Sequence, residues 1–458
     1  MRQKTQLELA FPPAVAGETR SGGAEGTEAS AANTATESLA VCGPSMETIV
    51  ERDNLRKALA RVRRNKGAPG IDGMRVDDLV AYLKEHWPII KSQLLDGTYK
   101  PQPVRRVEIP KASGGTRPLG IPTVLDRFIQ QAAMQVLQAA WDRTFSEKSH
   151  GFRPGRSAHG AVRAAQAYIA AGNCYVVDID LEKFFDRVNH DILMGLVVKR
   201  VHDRRIVRLI RGCLTAGVLA DGLVGPTDEG TPQGGPLSPL LSNLMLDGLD
   251  RELERRGHRF VRYADDCNIY VRSRRAGERV MASVGRFLAR HLKLGINVAK
   301  SAVDHPSRRK FLGFSFMAGT APRRCIAPQS LVRFKSRVRE LTRRTGGASL
   351  AQCVEDLSRY LVGWRGYFGF CETPSTLRGL DQWVRRRLRA IAWKQWKRGR
   401  TRFAELRRRG VGKDLAAKTA GSPHGPWRLS NSPALAIALP NAFLQALGLA
   451  AVAIPPAA

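Results

Sequence analysis

The sequence predicts an α+β domain followed by a basic, all-helical region, and three observations carry that prediction. Between about residues 100 and 320, short β-branched and aromatic runs alternate with stretches of helical periodicity. From Leu331 to Gly410 the strand-like runs stop, and 21 Lys or Arg stand against 6 Asp or Glu. The chain as a whole carries Lys+Arg 74 against Asp+Glu 41, a net charge of +33 over 458 residues, with 43% hydrophobic residues to build ordinary cores. So large a cationic surplus points to a polyanionic partner, nucleic acid first.

Residues 1–44 are rich in Ala, Gly, Glu, Thr and Ser with few large apolar side chains, and read as a disordered leader. Helical periodicity begins at Met46, with Ile49, Leu55, Leu59 and Val62 on one face, and stops at the loop Lys66-Gly67-Ala68-Pro69-Gly70. Strands are expected at Val104 to Ile109, Tyr175 to Ile179, Phe260 to Val271 and Phe311 to Phe316. Helices are expected at Asp126 to Trp141, Ala158 to Ala171, His190 to Arg200 and Leu240 to Leu253. In the basic region Trp364, Tyr367, Phe368, Trp383, Trp393 and Trp396 are interleaved with arginines, a pattern that suits either a nucleic-acid clamp or a helical core with a solvated cationic face. For the individual rings the core is the expectation.

No stretch of about 20 apolar residues runs free of breakers, so no membrane partner is expected. The uncharged tail after Arg428 is divided by Pro433, Pro440, Asn441 and Gln445 and reads as packed structure. Cys42, Cys174, Cys213, Cys267, Cys325, Cys353 and Cys371 show no Cys-x-x-Cys and no paired His spacing, against both zinc ligation and a disulfide framework. The N-terminus has no secretory pattern, so a cytoplasmic location is expected.

Chemistry enters at Tyr263-Ala264-Asp265-Asp266, where two adjacent carboxylates fall at the turn between two strand-like runs. Alone, such a pair is ordinarily a solvated turn. A second acidic element, Tyr175-Val176-Val177-Asp178-Ile179-Asp180, places carboxylates at a strand exit, and residues two apart share a face, so Asp178 and Asp180 could both address one site. Carboxylates from a strand end and a hairpin together offer the hard oxygen ligands that Mg2+ takes. Two such ions activate a hydroxyl and hold a leaving pyrophosphate, which is the chemistry of polymerisation. The rest of such a site is positioning groups and positive charge. Ile109 to Pro118 reads as two strands joined by a Gly-Gly turn that brings Lys111 and Arg117 to one side as a triphosphate clamp. Gly230 to Pro239 is a Gly- and Pro-rich loop in which Gln233 offers an amide to a nucleotide or template.

The ordered set of Lys111 to Pro118, Leu119 to Thr123, Gly151 to Ser157, Asp180 to Asp186, Thr231 to Pro239, Tyr263 to Asp266 and Phe311 to Phe314 resembles the reverse transcriptases encoded by bacterial group II introns. The resemblance covers roughly residues 46–320, and Gly363 to Phe368 extends it into the maturase or thumb region. It implies a right-hand polymerase with fingers and palm over residues 45–330, an α-helical thumb or maturase domain over 331–410, and a C-terminal extension over 411–458. It also implies the site. Asp180, Asp265 and Asp266 become the catalytic metal ligands for two Mg2+ ions, with Mn2+ as a substitute. Asp178 becomes a neighbour. Phe185 takes the place of the aromatic that stands against the incoming sugar and leaves no room for a 2′-hydroxyl. Lys111 and Arg117 fall on the triphosphate, Gln233 beside the nucleotide and Lys300 near the phosphates. Asp186 is expected to cap the following turn, and Arg153 to be structural or to contact template.

The function implied is RNA-directed DNA synthesis on an intron RNA template from a DNA primer with deoxynucleoside triphosphates, together with maturase binding of the intron RNA during splicing and retrohoming. Related lineages, the retron, diversity-generating and phage-defence enzymes, are the nearest alternatives. A splicing-only maturase is a further alternative; an RNA chaperone and an RNA-templated RNA polymerase stand further off, the first because the three carboxylates are intact and the second because of Phe185. The sequence shows neither the DNA-binding segment nor the Cys and His spacing of the family's endonuclease domain, which implies a form that primes from a nick or fork made by other means.

Overall fold

A computed structural model describes residues 43–110, 115–220, 223–225, 227, 229–319, 321–343 and 347–453. The leader up to residue 42, and Lys111 with the rest of its turn, lie outside these described residues, and of Arg117 only the backbone is described. The chain forms two compact units: one takes residues up to Ser157, Ile179–Cys267 and Arg279–Ala302, the other Ala158–Asp178, Asn268–Glu278 and the chain from Val303.

In the first unit, α1 (Met46–Ile49) is capped by Ser45, whose Oγ accepts the Thr48 N–H at 3.3 Å, and α2 (Arg52–Asn65) buries Leu55, Ala58, Leu59 and Val62. That is the face the periodicity predicts. α3 (Leu79–Asp96) follows, then β1 (Val104–Pro110) and β2 (Thr116–Ile121), which pair antiparallel from Arg105↔Ile121 to Pro110↔Thr116. β4 (Val218–Ala220) lies parallel to β1 and β5 (Leu223–Gly225) antiparallel to β4, giving the order β2-β1-β4-β5. α4 (Val124–Trp141) starts on the cap Thr123 and packs on α2, where Asn54 donates to the Ala132 carbonyl and Gln135 donates to Asn54 Oδ1 at 2.7 Å. α6 (His190–Val198), α7 (Arg204–Thr215) and α8 (Ser238–Arg255) complete the helical layer. α8 is buried along its length from Leu240 to Leu253, and each such aliphatic side chain contributes about 1.5–3 kcal/mol on full burial. β6 (Arg259–Tyr263) then leads through Ala264 and Asp265 into the first residues of β7 (Asp266–Val271).

In the second unit α5 (Ala158–Ala170) precedes β3 (Tyr175–Ile179), and strands β7, β3 and β8 (Ala302–Asp304) lie side by side in that order. α9 (Arg274–Phe287) follows β7 and passes at Arg279 back into the first unit. Phe311 to Phe316 is not one strand. Phe311 and Phe314 exchange two backbone hydrogen bonds of 2.9 Å around Leu312 (φ +51°) and Gly313 (φ +84°), and only β9 (Phe314–Phe316) pairs with β10 (Arg324–Ile326). The reason is tertiary: the Gly313 carbonyl is held by the Ala327 N–H and the Ser330 hydroxyl, so the chain folds back there.

The helical region is α10 (Pro328–Leu341), α11 (Leu350–Phe368), α12 (Pro374–Gln395) and α13 (Gly399–Arg408). Phe334, Val338, Leu357, Leu361, Trp364, Val384 and Leu388 form its main core, with Phe368 and Trp383 packed against it. Trp393, Leu406, Val411, Leu429 and Leu435 form a second, against which Trp396 packs. These aromatics are therefore core, as the sequence suggests. α14 (Lys413–Ala420) and α15 (Pro426–Leu429) follow, and the uncharged tail packs too, through α16 (Pro433–Ala438) and α17 (Asn441–Ala446). Among the described residues no helix is long and apolar enough to cross a membrane.

Candidate active site

Asp265 and Asp266 stand at a two-residue turn, half-buried and exposed respectively, after Ala264, whose φ of +57° is the left-handed conformation a tight turn imposes. The turn is held from behind. The Arg262 N–H donates to the Lys148 carbonyl at 3.0 Å and the His150 N–H donates to the Arg262 carbonyl at 2.9 Å, so residues 148–150 run beside β6. Gly151 then meets the turn so closely that a Cβ there would lie 3.0 Å from Tyr263 C and 3.1 Å from Ala264 Cα.

Asp180 lies one residue beyond β3. Its N–H donates to Ser301 Oγ at 2.9 Å and its carbonyl accepts the Asn297 N–H at 2.8 Å, which ties the strand exit to residues 295–301. Lys300 is on that segment, with Nζ 3.3 Å from the Asp180 carboxylate. This pair is largely solvated, 67% and 27% exposed, and worth no more than about 1 kcal/mol. The expected partner Asp178 does not share the Asp180 surroundings: Arg309 Nη2 and Nε donate to its Oδ2 at 2.6 and 2.9 Å, making it a structural ion pair.

After Asp180 the chain turns at Lys183 (φ +45°) into a single helical turn, Phe184–Asp186. Phe184 is buried and Phe185 stands half-exposed across its edge, with ring centroids 5.2 Å apart. The Gly230–Gly235 loop braces that turn. The Thr231 N–H donates to the Phe185 carbonyl at 2.7 Å, the Gly230 N–H donates to the Val188 carbonyl at 2.8 Å, and His190 Nε2 lies 2.6 Å from the Gly230 carbonyl. Gln233 Nε2 donates to Asp186 Oδ1 at 3.3 Å, and its carbonyl accepts the Gly120 N–H of β2 at 3.0 Å. The strand that carries Arg117 is thereby joined to the loop that carries Gln233. Asp186 does not cap α6; Asn189 does, accepting the Ile192 N–H at 2.9 Å. Arg153 is fully engaged in structure, paired with Asp142 at 2.8 Å and donating to the carbonyls of Asp142, Ser146 and Ser149, which leaves no fork for a template.

A cleft of about 1120 Å³ opens against this site, with Tyr263 in its wall. Lys57, Arg61 and Arg64 enter it from α2, Arg127 from α4 and Arg156 from the following loop, and among the described residues no Asp or Glu lines it. Phe152, on a left-handed backbone (φ +59°), stands 44% exposed in its wall. Arg127 Nε and Nη2 are buried without a hydrogen-bond partner, and burial pulls its guanidinium below the usual arginine range. His150 is pushed down to about 4, by burial first and by Arg156 and Arg153 next, so it is neutral at pH 7. Sequence reasoning missed this cleft, although the basic face of α2 was a readable signal.

The donor set at the site is carboxylate oxygen, which suits a hard divalent cation. Among the described residues no three His, Cys, Asp or Glu side chains are gathered closely enough to hold a metal ion. The chemistry of the donors fits such an ion.

Residues 109–316 match the reverse transcriptase (RNA-dependent DNA polymerase) family, and residues 331–410 match the group II intron maturase-specific domain. The chain is 33% identical over 302 residues to protein YkfC of Escherichia coli strain K12, covering 57% of this chain and 79% of that protein. It is 41% identical over 188 residues to the group II intron-encoded protein LtrA of Lactococcus lactis subsp. cremoris, covering 41% of this chain and 31% of LtrA. To the putative COX1/OXI3 intron 2 protein of Saccharomyces cerevisiae it is 28% identical over 319 residues, covering 56% of this chain and 37% of that protein. The match over residues 109–316 thus defines a nucleic-acid polymerase with a dependence on divalent metal. The chain belongs to the reverse transcriptase family, in the form joined to a group II intron maturase domain. It spans most of YkfC but about a third of the two intron-encoded proteins.

Proposed function

We propose that this chain copies a group II intron RNA into DNA, extending a DNA primer with deoxynucleoside triphosphates, and that it binds the same RNA to promote splicing. Asp180, Asp265 and Asp266 are the residues that would hold Mg2+. The chemistry such cations supply when bound is activation of the primer hydroxyl and neutralisation of phosphate charge. Lys300 keeps the Asp180 carboxylate oriented at 3.3 Å and is placed to turn to a phosphate when the carboxylate is otherwise engaged. Lys111 and Arg117 clamp the triphosphate. Phe185, its backbone held by Thr231, closes the space that a 2′-hydroxyl needs, and Gln233 lies beside the nucleotide, anchored on Asp186. The basic cleft takes the RNA strand, cations meeting phosphates and Phe152 offering a base a face on which to stack.

What supports this reading most is that Asp180, Phe185, Gln233 and the Asp265-Asp266 turn belong to one compact unit, with the Phe185 and Gln233 segments hydrogen-bonded to each other. The maturase role rests on the 331–410 match and on the exposed cations Lys394, Lys397, Arg398 and Arg400. Arg386, Arg387 and Arg389 are instead tied to the Trp427, Thr342 and Leu439 carbonyls. A cytoplasmic setting follows from the RNA partner. Primer extension on an RNA template with Mg2+ tests the proposal: Asp265→Ala with Asp266→Ala should abolish synthesis and spare RNA binding. Undiminished synthesis by the purified double variant would refute it.

A further inference from the structure

Arg262 is fully buried, and all five of its guanidinium N–H donors are satisfied. Two go to Asp250 of α8, Nε to Oδ1 at 2.7 Å and Nη2 to Oδ2 at 2.6 Å. The other three leave the ion pair. Nη1 donates to the Ala264 carbonyl at 2.8 Å and to Asn243 Oδ1 at 3.1 Å, and Nη2 donates to Ser149 Oγ at 2.8 Å. Asn243 passes the link on, its Nδ2 donating to the Gly151 carbonyl at 2.9 Å. One planar fork therefore ties together α8, the segment 149–151 and the turn before Asp265.

We propose that Arg262 is a positioning residue of the polymerase centre. Its guanidinium sets the Ala264 backbone, and hence the Asp265-Asp266 turn, in fixed relation to the Gly151–Phe152 segment that walls the basic cleft. The inference rests on Asp265 and Asp266 being the reactive carboxylates. A charge pair that served stability alone would need Asp250 and little else, and apolar residues of similar volume replace such pairs without loss. Here three of five donors hold backbone or side chains of the two segments that meet at the turn. The left-handed φ of Ala264 (+57°) and the lack of room for a Cβ at Gly151 show how little slack that meeting has. Lysine, with three donors on a flexible stem, cannot reproduce the fork.

The test uses the full chain and steady-state primer extension on RNA, measuring kcat, KM for deoxynucleotide and the Mg2+ concentration that gives half-maximal rate, alongside thermal melting and RNA binding. Arg262→Lys is expected to lower kcat about 100-fold, the loss that a displacement of about 1 Å at a reacting group produces, with KM changed less. Arg262→Met with Asp250→Leu removes both charges. It should stay folded, melting below the wild type because the Ala264 carbonyl and Asn243 Oδ1 lose their buried donor, and bind RNA normally, yet keep the loss in kcat and need more Mg2+. A folded double variant with kcat within about twofold of wild type and an unchanged Mg2+ requirement overturns the proposal, because Arg262 is then only a core charge. Where that variant does not fold, Asn243→Ala decides: it keeps the ion pair and cuts the link to Gly151, so kcat should fall about tenfold, and an unchanged kcat overturns the proposal. Asp265→Asn runs in parallel. Full activity there removes the underlying reading, whatever the Arg262 variants do.

Discussion

One added methyl group at Gly151 should slow synthesis about a hundredfold without touching a single reactive residue. A Cβ at this position would lie 3.0 Å from Tyr263 C and 3.1 Å from Ala264 Cα, and closer still to the Ala264 nitrogen, whereas ordinary contact begins at 3.4 Å. All three atoms are backbone, so no rotamer change relieves the clash. The two segments must part by about 1 Å to restore normal contacts. Overpacking of this kind costs about 1–3 kcal/mol of stability. Displacement of the carboxylate turn by up to about 1 Å costs about 100-fold in rate, equivalent to about 2.7 kcal/mol in the barrier. Single-nucleotide extension of an RNA-templated primer reads the rate, and thermal melting reads the stability. Gly195→Ala is the control: nothing lies within 4 Å of a Cβ there, and alanine inside α6 should stabilise by about 0.5–1 kcal/mol with the rate unchanged. Gly151→Ala at wild-type rate would show that the turn is not held by this contact, or that the chemistry is not on the turn.

Phe185→Ala should raise incorporation of ribonucleotides relative to deoxynucleotides, measured as the ratio of kcat/KM values; an unchanged ratio removes the gate from Phe185. Arg61→Gln with Arg64→Gln should weaken single-stranded RNA binding and flatten the plot of log affinity against log salt by about 1.4, two contacts at about 0.7 each, and an unaltered slope would mean that the α2 cations face solvent. His150, held below its ordinary value at about 4 by burial and by Arg156 and Arg153, favours the neutral form in the folded chain. Its contribution to stability is therefore complete above the unfolded value near 6.5 and is lost as pH falls from there toward 4. His150→Gln should flatten the melting temperature against pH over that window, and parallel curves for the two proteins would count against the assignment.

Much of the fold was legible because its signals are local. The apolar, β-branched run of β3, the periodicity of α2 and the turn chemistry between β6 and β7 all act within a few residues, and each element stands where its pattern lies. The same holds for the tail after Arg428, where Pro433 opens α16 and Pro440 stands at the N-cap of α17. Where the local signal was ambiguous, packing decided. Phe311 to Phe316 has strand composition, but the backbone bonds of Gly313 to Ala327 and Ser330 make it a turn. The two-residue spacing of Asp178 and Asp180 suggested one shared site, and Arg309, 131 residues away in sequence, claims the first for structure. Arg153, in a motif that suggested template contact, is spent on carbonyls within its own loop.

The sequence alone determined the chemistry available to this protein: carboxylates at a strand exit and at a hairpin turn, an aromatic pair just past the strand exit, and a cationic surplus suited to nucleic acid. These are properties of residue type and near spacing, and covalent connectivity carries them. The tertiary structure decided which side chains are free to act. Arg262 stands in sequence as one more cation beside the acidic turn, yet it is fully buried together with Asp250, because Ser149, Asn243, Asp250 and Ala264 converge on its guanidinium. Those partners are spread over more than a hundred residues. A buried guanidinium must find every one of its five acceptors to be worth burying, and only the folded chain brings them together.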